Sequence, residues 1–89
     1  NDLGEIWENY LVLERLKKQS YQKIFSNNYF LRTYDQQEID WIEEREGQLF
    51  AYEIKWKPTR VKEPRIWREA YPHASFSVIH QDNYLSFIT

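Results

Sequence analysis

QEIDWIEEREGQLFAYEIKW, residues 37–56, alternates in character on both sides of a polar centre at Glu46 and Gly47. A period of two flanking such a centre predicts a β-hairpin. Closing it with a two-residue Glu46-Gly47 turn sets Arg45 opposite Gln48, Asp40 opposite Glu53 and Glu38 opposite Lys55. In that register Glu38, Asp40, Ile42, Ala51, Glu53 and Lys55 share one face, and Ile39, Trp41, Phe50, Tyr52, Ile54 and Trp56 share the other. The expectation is one aromatic core face and one face carrying a compact cluster of charge. A slip of one residue would exchange the two faces, so the turn decides where the chemistry lies.

Upstream, LGEIWENYLVLERLKK (3–18) carries apolar side chains at Leu3, Ile6, Trp7, Tyr10, Leu11, Leu13 and Leu16. That spacing predicts a helix buried on a broad face, with Asp2 as N-cap, Glu5 completing a capping box, and Lys17 and Lys18 at the carbonyl end of the dipole. After a polar break, YFLRTY (29–34) is rich in strand formers. Downstream, Pro58 and Pro64 bracket a loop, PRIWREAY (64–71) suits a short helix with proline in its first turn, and Pro72 ends it. Ser75 to His80 reads as a strand, and Tyr84 to Ile88 as a final short one after an Asp82-Asn83 turn. The order is helix, three strands, helix, strand. It makes one α/β domain with a mixed α+β sheet over residues 1–89.

Composition narrows the function classes. With 12 Lys+Arg against 14 Asp+Glu, the net charge is −2, and an aromatic share of 18% must supply much of the buried area in 89 residues. The absence of cysteine excludes disulfides, thiolate zinc sites and cysteine nucleophiles. Gly4 and Gly47 are the only glycines, too few for a P-loop or a dinucleotide-binding fingerprint. No run approaches the ~18 apolar residues of a membrane span, and no export signal opens the chain. The expected setting is therefore soluble and cytoplasmic, away from membranes. The lack of methionine, with an apolar helical pattern starting almost at once, reads as a fragment of a longer protein.

Two carboxylates facing each other across adjacent strands raise each other's pKa unless a cation lies between them. Carboxylate oxygens of this kind suit a hard divalent ion, Mg²⁺ or Mn²⁺, which keeps waters and binds substrate phosphate. Lys55, two residues beyond Glu53 and on its face, would orient water or offset developing charge. Six cations, Lys55, Lys57, Arg60, Lys62, Arg65 and Arg68, fall between positions 55 and 68 with only Glu63 among them. Within an acidic chain this reads either as a phosphate-binding surface or as a solvated face. His73 and His80 lack sequence partners and read as structural.

A helix-borne Glu8, then Asp40, then the Glu53-x-Lys55 pair resembles the PD-(D/E)xK nuclease superfamily, although Ile39 precedes Asp40 where that signature has proline. More narrowly, GEIWENYLVLERL, FLRTYDQQEIDWI and YEIKW are similar to an uncharacterised C-terminal domain that follows an AAA-type ATPase domain. The resemblance spans nearly the whole chain. It implies a restriction-endonuclease-like αβββαβ core, Asp40 and Glu53 as Mg²⁺ ligands, and Lys55 and Glu8 as further catalytic residues. It also implies DNA as substrate and an N-terminal ATPase domain as partner, and the charge clustering offers Lys57, Arg60, Lys62, Arg65 and Arg68 as candidate DNA contacts. An oligomer is compatible with this reading. The alternative is a catalytically silent nuclease-fold module serving DNA binding, self-association or partner recognition, and enzymatic activity stays open between the two.

Overall fold

The structure is a computed structural model that describes residues 2–89. Its central hairpin forms in the expected register: β2 (Glu38–Arg45) and β3 (Gln48–Ile54) pair antiparallel from Arg45↔Gln48 to Trp41↔Tyr52. Glu46 and Gly47 adopt φ of 51° and 77°, the left-handed pair that a two-residue I′ turn requires. β1 (Asn27–Arg32) adds antiparallel to β2, and β4 (Ser75–Ile79) adds parallel to β3, giving a mixed sheet in the order β1-β2-β3-β4. The parallel addition needs a crossover, supplied by the proline-bracketed loop and α2 (Arg65–Ala70). Pro64 precedes α2 with φ of −60°, so its ring enforces the approach to the first turn.

Helices α1 (Asp2–Tyr21) and α3 (Leu85–Ile88) accompany the sheet. The fold is thus a mixed α+β arrangement with the expected αβββαβ order, followed by a helical turn where a short strand was expected. Tyr84, Phe87 and Ile88 all pack on the cluster of Leu11, Ile54 and Ile79, and i, i+3, i+4 spacing is helical. An extended chain would have turned Ser86 inward instead of Phe87. Asn83 drives the reversal, its Oδ1 accepting from the His80 N–H at 2.8 Å and its Nδ2 donating to the Val78 carbonyl at 2.9 Å.

Three further expectations are corrected. Asp2 is already helical, so it complements the dipole from the first turn and does not cap the helix. The inward stripe of α1 is Leu11, Arg15 and Gln19, flanked by half-buried Trp7, Glu8 and Val12, while Leu3, Ile6, Tyr10, Leu13 and Leu16 are exposed. Both faces of the β2–β3 hairpin carry core residues, so neither is an open charged face. Ile42 and Ala51 lie in a core cluster with Ile39, Trp67 and Ala74, whereas Trp41 and Tyr52 pack on the α1 and α3 side.

Ile39 joins the cluster of Ile42, not that of Trp41, because β2 contains a bulge. Partners shift from Tyr29↔Ile42 to Leu31↔Ile39, so Asp40 and Trp41 together oppose the single residue Phe30. The extra residue breaks the period of two at Asp40.

Candidate functional site

Beyond Trp41↔Tyr52, side chains take over the hydrogen bonds between β2 and β3. The Ile54 N–H donates to Asp40 Oδ2 at 2.8 Å, and the Asp40 N–H donates to Glu53 Oε1 at 3.2 Å. The two carboxylates are thereby locked to opposite strands and drawn together. Glu38 completes the group: one oxygen from each of Glu38, Asp40 and Glu53 lies within 4.8 Å of the others. Glu38 is exposed, Asp40 half-buried and Glu53 buried, a gradient from solvent into the sheet.

Electrostatics mark the same place. Burial, reinforced by the Asp40 charge, pushes the Glu53 carboxyl up to about 7, against the opposing pull of Lys55. The Lys55 ammonium lies 3.6 Å from Glu53 Oε2 with its side chain 43% exposed, so it remains accessible from solvent. Lys55 is fixed through its backbone, donating to the Ile79 carbonyl and accepting from the Trp7 indole, each at 2.9 Å.

Glu8 reaches the group from α1. It shares a cleft of about 440 Å³ with Arg32, Asp40 and Trp41, and its carboxyl is raised by burial and by Asp40 while Arg32 opposes the shift. On the other side, Glu38 and Glu53 line a second cleft with Lys62, Arg65 and Arg68. The acidic group therefore sits at the seam between two clefts, one walled by α1 and β1, the other by the basic loop and α2. Lys57 and Arg60 are exposed on that loop and do not line the second cleft. Arg68 serves the fold itself, pairing with Glu63 at 2.6 Å and donating to the Pro72 carbonyl at 2.8 Å, which ties the loop to α2.

Carboxylate oxygens converging this closely could hold a metal ion, and their hard oxygen donors fit a hard cation. The hairpin alternation places Glu38 on the face of Asp40 but assigns it no role, and no sequence signal marks Arg32. Glu43, whose side chain is fully buried, is missed as well. Glu43 accepts from Arg15 Nε (2.6 Å), Arg15 Nη2 (2.7 Å), Gln19 Nε2 (2.8 Å) and Trp41 Nε1 (2.9 Å). Arg45 Nε lies 2.9 Å from Glu43 Oε1 as an ionic contact without hydrogen-bond alignment. Glu43 shares the Trp41 face of β2, so an acid on an otherwise aromatic face was the available signal.

Against known families, residues 3–87 match the model of a domain of unknown function, DUF4143. No curated protein and no solved structure matches the chain.

Proposed function

This chain belongs to the DUF4143 family, and we propose that it is a PD-(D/E)xK-like module hydrolysing DNA phosphodiester bonds with Mg²⁺ or Mn²⁺, appended to an AAA-type ATPase. The observation that carries the reading is the convergence of Glu38, Asp40 and Glu53 beside the Lys55 ammonium. Carboxylates on exposed strands are ordinary, but one held at about 7 by burial and by the Asp40 charge is a stored cost that a divalent ion would relieve.

In this reading Asp40 and Glu53 hold the ion, with Glu38 as a further ligand, and a bound divalent ion would supply charge to polarise a phosphate and acidify water. Asp40 is oriented for this by the Ile54 N–H, and Glu53 by the Asp40 N–H. Lys55, accessible beside Glu53, holds a positive charge where a pentavalent phosphate would accumulate negative charge. Glu8, raised by burial and by Asp40, is suited to hold or release a proton at the neighbouring cleft. Lys62 and Arg65 would steer the phosphate backbone toward the seam.

The test is a Mn²⁺ titration of the isotope-labelled domain by NMR, followed by incubation with supercoiled and linear DNA. Paramagnetic broadening should concentrate on Glu38, Asp40, Glu53 and Lys55 and disappear in Asp40→Asn, with cleavage lost in parallel. Broadening without cleavage would favour the silent module, and no localised broadening at millimolar Mn²⁺ would overturn the metal site itself.

A further inference from the structure

The cleft between α1 and β1 holds a cation that the metal-centred reading does not use. Arg32 ends β1, stands across from Glu38 in the β1–β2 register, and shares its cleft with Glu8 and Asp40. Yet the exposed Arg32 closes on none of these carboxylates: among the described residues it has no ion-pair partner within 4.0 Å. Its guanidinium lies 5.7 Å from the centroid of the Phe30 ring, which lines the same cleft and is 67% exposed. The exposed ring and a guanidinium without an ion-pair partner thus stand side by side in one cleft. The pair matches the two needs of an unstacked nucleotide, a flat face for the base and a cation for the phosphate.

We propose that this cleft receives single-stranded DNA next to the scissile position, with Phe30 stacking on a base and Arg32 holding a phosphate. The proposal rests on the phosphodiester reading and sharpens its substrate to a strand that is frayed, flapped or unpaired. Duplex DNA conceals its base faces, so an exposed ring gains from it only where bases are splayed. The cleft volume of about 440 Å³ lies within the range of small-ligand sites, enough for a nucleotide.

The test is fluorescence anisotropy of a short labelled single strand and of its duplex, in EDTA at low salt, so that no metal-dependent cleavage intervenes. The single strand should bind about tenfold or more tighter than the duplex, and Phe30→Ala should weaken it by roughly five- to a hundredfold, the span of one aromatic–base stack. Arg32→Ala should weaken it too and reduce the salt slope by about 0.7, the share of one phosphate on a single strand. Equal binding of duplex and single strand, or Phe30→Ala within twofold of wild type, overturns the proposal. So does self-association that Phe30→Ala abolishes while DNA fails to bind, which would make this surface a protein interface. The exposure of Phe30 lets the variant fold, and NMR dispersion verifies it. The two readings fail separately: cleavage unaffected by Phe30→Ala sinks the single-strand site alone, whereas selective single-strand binding without cleavage in Mg²⁺ sinks the nuclease alone.

Discussion

Glu43 and Glu53 are both buried carboxylates, yet they titrate in opposite directions. Burial would raise Glu43, but the hydrogen bonds from Arg15 and Trp41 and the nearby Arg45 charge outweigh it and hold its pKa below 4.5. Glu43 therefore contributes stability above the unfolded value, and that contribution is lost as pH falls through its lowered folded pKa. For Glu53, raised to about 7, the folded state binds the proton more tightly. Its protonation stabilises the fold below about 4.5, and this is lost as pH rises from there to about 7, a change on the order of 2–3 kcal/mol. Urea unfolding in EDTA should accordingly show maximal stability near pH 5, with decline on both sides. Glu53→Gln should flatten the upper limb and leave the acid limb in place. A stability that rises steadily to pH 7 in EDTA would contradict this account of Glu53. The Arg15–Glu43 pair is the more costly one to break. Arg15→Ala leaves an acid with 0% side-chain exposure short of two charge-assisted bonds and strips the Phe87 carbonyl of its donor. A loss of about 3–5 kcal/mol in the free energy of urea unfolding is expected.

At the scale of elements, the hairpin turn is the clearest local compromise. Gly47 takes its left-handed φ freely, but Glu46 holds φ of 51° with a side chain that prefers other regions. Glu46→Asn should stabilise the domain by roughly 0.5–1 kcal/mol, because asparagine tolerates that conformation, while Gly47→Ala should destabilise it although the space for a Cβ is open. Thermal melts of the two variants should move in opposite directions. The hairpin was legible in sequence because a strict period of two and a two-residue turn fix the register together, bringing Asp40, Glu53 and Lys55 into reach. The bulge at Asp40–Trp41 was not, since it comes from pairing with β1 and leaves the alternation of letters unchanged. α3 was missed because its four residues offer too short a window for periodicity, and only the burial of Phe87 reveals its helical phase. The apolar pattern of α1 misled in another way: Leu3, Ile6, Tyr10 and Leu13 obey helical spacing but face outward, while Arg15 and Gln19 turn in to meet Glu43.

For the whole molecule, the acidic group acts as a joint. Glu38 and Asp40 belong to β2, Glu53 to β3, and Glu8 approaches from α1, so repulsion at the seam is felt by every layer that meets there. An ion binding only the folded state should stabilise it by RT ln(1 + [ion]/Kd), about 1.4 kcal/mol at tenfold excess over Kd. If Glu53 is a ligand, the gain should grow with pH, because its carboxyl, held at about 7, would have to release its proton first. Adding Mg²⁺ or Mn²⁺ should therefore raise the unfolding temperature more at pH 8 than at pH 6 and carry the stability maximum upward from about pH 5. Asp40→Asn would remove one of the proposed ligands and also relieve the repulsion that adds to the raising of Glu53, so it should lift metal-free stability at neutral pH while abolishing the response to the ion. That pairing separates a built site from a chance cluster. In a merely solvated group of acids, the substitution would change neither the apo stability nor its dependence on divalent cation.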